Sequence, residues 1–245
     1  MKPTRKVHKL GFPSDYENLS GMHEQILQLS ETLLGTMGVT GLELKNLAIK
    51  LEVSPSLINH YYKKTETLVF DTVIYSYAKV INKIQNDTQY ETNPELVVRT
   101  WIKSMIDWTT TYPGVGVLLE FPRGALRSGT KAADNSEEQL EHFMKIMSEY
   151  GANNVAYMCS AVRALQKKKN FKVLPPIKVA ALIGTDSKFA MYVSLLGFST
   201  IGGGLWMAGR HPADGKNPYW KRLGFNPTKQ MQSSIDEFIK VIKQG

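Results

Sequence analysis

The sequence predicts an all-α protein with a small helix-turn-helix domain near its N-terminus and a larger helical domain after it. Three observations predict it. Apolar residues recur mostly at three- and four-residue spacing, and strand-like alternation is weak. Two short apolar sets, Leu44, Leu47, Ala48 and Leu51, then Leu57 and Ile58, are joined by the turn-like Val53, Ser54 and Pro55. The composition then changes after residue 88, where Asn93, Pro94 and Glu95 read as cap, first position and first-turn acid of a new helix. A chain of 245 residues with 42% apolar content is long enough for this arrangement and rich enough to pack it. The expected division is a basic tail over 1–17, a helix-turn-helix domain over 18–68 with a fourth helix to about 88 as connector, and a helical domain over 89–245.

The elements follow in order. Ile26, Leu29, Leu33 and Leu34 form the stripe of a first helix, which Gly38 ends as a left-handed residue. Ser54 caps a short helix with Pro55 at its first position, ending near Tyr62. Thr65 is expected to cap a long helix carrying Leu68, Val69, Val73, Ala78, Val80, Ile81 and Ile84. The helix begun at Asn93 stops at Pro113 and Gly114, and a shorter piece runs from Gly116 to Phe121 and Pro122. A longer helix follows from about Asp134 to Lys168, with Gly151 as a candidate break. Pro175 and Pro176 open another long helix, residues 210–227 read as loop, and a last helix carries Met231, Ile235, Phe238, Ile239 and Ile242.

Charge and cysteine use narrow the setting. The net charge is +8, yet residues 1–68 hold eight basic and seven acidic side chains, while 69–245 hold twenty-two and fifteen. The excess therefore does not sit on the helix-turn-helix region, and local clusters matter there. Lys2, Arg5, Lys6 and Lys9 precede any acid, which suits a solvated tail or an arm that touches DNA. Lone Cys159 excludes an intrachain disulfide and fits a cytoplasmic location, as does an N-terminus without an apolar run behind its charges. Residues 189–209 carry no charge, between Lys188 and Arg210, but Ser194, Ser199, Thr200 and Gly202, Gly203, Gly204 argue for a buried interface helix over a membrane span.

Residues 44–62 have the layout of two short helices crossing at small Ala48, with Val53 in the turn and Leu57 or Ile58 anchoring the second. Its outward side is then Ser54, Ser56, Asn59, His60 and Tyr61. Such groups suit the major groove, where Asn pairs with adenine and hydroxyls or Lys reach phosphates. Lys63 and Lys64 lie just past the helix, where the DNA backbone would run. By spacing alone, a three-helix unit that binds nothing fits equally.

This stretch resembles the DNA-binding domain of the tetracycline-repressor (TetR-like) regulators. The match runs over residues 26–68 and rests on Ile26 and Leu27, Leu33 and Leu34, Gly38 and Val39, Leu47 and Ala48, and the continuous block from Val53 to Leu68. Several positions depart from the family. Glu52 stands where Gly usually precedes the Val-Ser pair, Asn59 where a phosphate-touching Tyr is common, Tyr62 at a usual Phe, Thr65 at a usual Lys, and Leu42 at a frequent Thr. Thr40, Lys45 and Pro55 complete the DNA-contacting set that the resemblance implies.

The resemblance further implies a homodimer paired through residues 176–200 and 228–243, binding a near-palindromic operator on double-stranded DNA. It implies a small-molecule effector in the larger domain, with repression as the default outcome. Trp101, Met105, Trp108, Phe143, Met147, Tyr157, Met158 and Phe189, with Met144 and Tyr192, are candidate lining residues, and as a set they favour an apolar or aromatic ligand. Each also fits plain core. No cofactor is expected. His8, His23, His60, His142 and His211 form no metal-like pair, and no nucleophile elbow or phosphate loop is present. The alternatives are a helical enzyme with an unrecognised site and a helical protein-interaction module.

Overall fold

The computed structural model describes residues 19, 21–120, 136–196 and 227–244, all helix and short connection with no strand among them. The basic tail, Phe121 and Pro122, the glycine run at 202–204 and the 210–226 stretch lie outside the described residues. The helices are α1 (Gly21–Met37), α2 (Leu44–Lys50), α3 (Pro55–Tyr61), α4 (Thr65–Thr88), α5 (Pro94–Thr111), α6 (Pro113–Glu120), α7 (Ser136–Gln166), α8 (Pro176–Thr185), α9 (Ser187–Leu196) and α10 (Pro227–Gln244).

The first helix buries Ile26, Leu33 and Leu34 of its predicted stripe, with Leu27 buried beside them and Leu29 only half-buried. Gly38 follows it with φ 68° and ψ −168°. That is the mirror-extended region open mainly to glycine, rather than the left-handed helical one expected. The Gly38 N–H still donates to the Leu34 carbonyl at 3.1 Å. A 3₁₀ turn over Val39–Gly41 then leads to α2.

The fourth helix is the axis of the molecule. It is 24 residues long, about 36 Å, and packs against α1, α5, α6 and α7. Its cap differs from expectation. Lys64, with φ −136° and ψ 140°, is the flanking residue and makes no side-chain cap bond, so Thr65 is already helical. The next start is as predicted, because Asn93 Oδ1 accepts from the Glu95 N–H at 3.0 Å. Phe70 and Phe143 stack with ring centres 4.7 Å apart, and the Thr88 hydroxyl meets that of Tyr157 at 2.7 Å. Those two contacts show that α4 and α7 run in the same direction.

Two sequence expectations need correction. Gly151 does not break α7, which is continuous over 31 residues. The helix opened by Pro176 is not one long rod, since α8 and α9 meet at a bend of 115°. Asp186 makes the corner. Its carboxylate accepts from the Phe189 N–H at 2.9 Å, capping α9, and from Arg163 Nη1 of α7 at 2.6 Å. Both bonds hold the Asp186 carboxyl below its ordinary value.

The last helix buries Ile235, Ile239 and Ile242. Arg99 of α5 ties it down through Asp236 at 2.5 Å, and Glu95 does so through Lys243. These bonds hold both carboxyls below the ordinary range. Among the described residues no single helix is long and apolar enough to cross a membrane.

Candidate nucleic-acid interface

The turn between α2 and α3 shows how the short pair holds its angle. Ala48 is buried, so the helices approach closely there, and its carbonyl accepts from the Val53 N–H at 3.0 Å. Glu52 sits at φ 56°. A side-chain-bearing residue is strained at that angle, which is the physical meaning of Glu at a position where the resemblance expects Gly. Ser54 Oγ then accepts from the Leu57 N–H at 3.2 Å, and Pro55 occupies the first position. Ile58 is fully buried and anchors α3; Leu57 is half-buried at its side.

The outward face carries Ser54, Pro55, Ser56, Asn59 and His60, all exposed, with Lys63 and Lys64 exposed just beyond. Lys45 is exposed on α2, and so is its neighbour Asn46, which the sequence reading omitted although it follows Lys45 on the same first turn. Thr40 lies in the 3₁₀ turn before α2. These residues thus come from adjoining segments, with hydrogen-bonding and cationic groups outermost.

Tyr61 differs from the rest because it is half-buried. Its ring centre is 5.3 Å from that of His23 on α1 and 5.4 Å from that of His60. Tyr62 turns inward at 2% exposure, and its hydroxyl oxygen lies 2.6 Å from His23 Nε2. The Asp71 carboxylate of α4 is a second partner of that hydroxyl. Burial above all, then the Asp71 charge and hydrogen bond, push the Tyr62 hydroxyl far above its ordinary value. Burial also lowers His23, and Asp71 offsets part of that. A three-way tie of α1, α3 and α4 therefore sets the end of the short helix. His23 and Asp71 carry no local signal of this role, being 39 residues before Tyr62 and nine after it.

The candidate effector residues are mostly buried and belong to one continuous hydrophobic core, spread along its length. Trp101, Met105, Trp108, Phe143, Tyr157, Met158 and Phe189 are buried, Met147 is half-buried, and Met144 is exposed. Phe143 and Tyr157 sit about 21 Å apart along α7, one against Phe70 and the other against Thr88 and Phe171. Phe189 lies under the Arg163 guanidinium at 5.5 Å. Trp108 holds the middle level, its Nε1–H donating to Ser76 Oγ at 2.9 Å and its ring 5.9 Å from Tyr77. Cys159 is buried, which pushes its thiol up to about 12 and leaves it a poor nucleophile.

A capped short helix held against a three-helix base, ahead of a long axial helix and a larger helical body, defines a TetR-like fold. Solved structures match the chain along most of its length, two of them as follows. BioQ of Mycobacterium smegmatis is 13% identical, with 93% of this chain and 99% of that one covered and a TM-score of 0.51. SCO7222 of Streptomyces coelicolor, a transcriptional regulator described as a TetR, is 16% identical, with the same coverage and a TM-score of 0.53. No protein-family model and no curated protein matches the chain. At these identities the likeness is one of fold.

Proposed function

We propose that the chain is a sequence-specific DNA-binding transcriptional regulator. The observation that carries this reading is the outward face of α3: a helix fixed at its start by Ser54, at its core by Ile58 and at its end by Tyr62, with Ser56, Asn59 and His60 turned to solvent. Asn59 and His60 read base edges, Asn59 by the bidentate pairing suited to adenine. Ser54, Ser56, Tyr61, Lys45, Lys63 and Lys64 hold phosphates, and Thr40 joins them from the preceding turn. The TetR-like fold of two solved neighbours, one of them a transcriptional regulator, supports the reading.

The regulator works as a cytoplasmic homodimer on a near-palindromic operator. One seven-residue helix buries little surface, and two-fold pairing lets half-sites about 34–36 Å apart be read together. Support comes from α8 and α9, where Ile177, Ala181 and Gly184 form an exposed row and Met191 and Leu195 are about half exposed. The helix-turn-helix unit of 18–68 reads DNA, and the body of 89–245 pairs and binds an effector that releases the operator, giving repression.

Selection of bound sequences from a random duplex library tests the DNA reading. A two-fold motif should emerge, and Asn59→Ala should relax its preference at one position per half-site, with about 1–3 kcal/mol of discrimination lost. Enrichment of no sequence, with binding insensitive to salt, would refute it.

A further inference from the structure

The positive charge carried by the body has a place in the fold. From Tyr150 to Thr185 the sequence holds no acid, and its basic residues are Arg163, Lys167, Lys168, Lys169, Lys172 and Lys178. Lys167, Lys168, Lys169 and Lys172 fall at one pole. Tyr157 of α7 meets Thr88 at the end of α4, and α7 continues past it to Gln166. The chain then returns, so that the Phe171 ring packs edge-on to Tyr157 and the Phe171 N–H donates to the Thr92 carbonyl at 2.7 Å. The four lysines are exposed on this turn, and Tyr90, 76% exposed, stands on the neighbouring one. The length of α4 separates them from Lys63, Lys64 and α3.

Nothing in the fold neutralises this cluster. Asp186, which also feels Lys167, is bound by Arg163. Glu91 accepts from the Thr92 and Asn93 N–H groups, Asp87 pairs with Lys83, and Glu95 pairs with Arg99 and Lys243. Among the described residues the ammonium groups of Lys168, Lys169 and Lys172 have no carboxylate partner. The attraction of a helix C-terminus for cations accounts for Lys167 and fades within the last turn. It does not account for Lys168, which sits at φ 54°. The Lys168 N–H donates to the Leu165 carbonyl and the Lys169 N–H to that of Ala164, a closing turn whose left-handed residue is usually glycine. A lysine is strained there, and its charge stays unanswered.

We propose that this pole binds the phosphate backbone of duplex DNA without regard to sequence, so that a protein seated on one duplex by α3 holds a second. Lysine is a point charge on a flexible stem, which suits a run of phosphates and lacks the planar fork that fits one anion closely. Tyr90 adds a hydroxyl of the kind that reaches phosphate oxygens. An anionic membrane fits less well, because docking there needs apolar groups to insert beside the charges. Tyr90 is the one exposed large apolar side chain on the two turns, residues 89–93 and 167–175. Binding at the pole does not depend on the regulator reading above; the holding of two duplexes does.

The test uses the full chain carrying Lys45→Gln, Lys63→Gln and Lys64→Gln, which removes phosphate contacts assigned to the helix-turn-helix unit, and titrates it with a labelled random-sequence duplex. Four phosphate contacts at the pole give a slope of about −3.6 in log K against log salt, so binding should weaken about 150-fold from about 20 to about 80 mM salt. Adding Lys167→Gln, Lys168→Gln, Lys169→Gln and Lys172→Gln should abolish that binding. Should this variant fold poorly, Lys169→Gln with Lys172→Gln, which leaves the strained position alone, should halve the slope. In the otherwise unaltered chain, a bead-bound duplex should capture a second, labelled duplex, and the pole substitutions should prevent it. Equal binding with and without the pole lysines, no salt-sensitive binding at all, no capture of a second duplex, or tighter binding to phosphatidylglycerol–phosphatidylcholine vesicles than to the duplex would overturn the proposal. A failed selection of sequences by α3 leaves the pole titrations standing, and failed pole titrations leave α3 standing.

Discussion

Replacing Lys79 by Met should destabilise the protein far more than replacing its partner. Glu31 of α1 is 3% exposed, and its Oε2 accepts from Lys79 Nζ of α4 at 2.6 Å, while its Oε1 is buried with no hydrogen-bond partner. Removing the lysine strands a carboxylate inside the α1–α4 contact. Breaking a fully buried pair from one side costs about 3–5 kcal/mol. Lys79 is 47% exposed, so water restores part of that loss, and about 2 kcal/mol is the expected figure. For a chain of this length that is roughly 4–8 °C in Tm. Glu31→Leu should behave differently, because the freed lysine rehydrates and Oε1 no longer goes unpaired; a change below about 1 kcal/mol follows. The double variant should sit near wild type. Urea unfolding followed by far-ultraviolet circular dichroism, at one fixed protein concentration, measures all four corners of the cycle. A Lys79→Met cost within about 0.5 kcal/mol of zero, or Glu31→Leu costing more than Lys79→Met, would refute the reasoning.

Two further outcomes are expected. Burial, partly offset by Asp71, lowers His23 in the folded protein, so the unfolded chain binds the proton more readily. Stability is then full above the ordinary histidine value of 6.5 and falls as pH drops below it toward the lower folded value. Thermal melts from pH 7.5 to 5 should show that loss, and His23→Gln should flatten it; an unchanged slope would remove the His23–Tyr62–Asp71 tie from the account. Glu52→Gly should raise stability by about 0.5–1 kcal/mol by relieving a side-chain-bearing residue at φ 56°, and a lower Tm would show that the turn relaxes around the glycine instead.

Much of this architecture can be read in the residues, where the cause is local. Ser54 with Pro55 and Asn93 with Pro94 announce their helices because the cap and the missing proline N–H act within three residues. The corner at Asp186 is not announced, because it depends on Arg163 from another helix. Gly151 reads as a breaker by propensity, yet tertiary packing carries α7 through it. Thr65 has the chemistry of a cap, but the backbone of Lys64 takes the flanking conformation. The outward residues of α3 are legible because the helix is short and has one buried anchor. The candidate effector residues are legible as buried faces only. Periodicity says which side of α7 holds Phe143 and Tyr157 but not that each meets a different level of α4.

At Gly114 the first turn of α6 rests on α1 so closely that an added Cβ would collide with the Leu34 carbonyl oxygen. Main chain leans on main chain there, with no side chain between to change rotamer and absorb a displacement. The contact falls at the same turn of α1 whose Leu34 carbonyl also receives the Gly38 N–H. The two helices are therefore seated on each other through main chain alone, and a methyl group placed at Gly114 would force them apart.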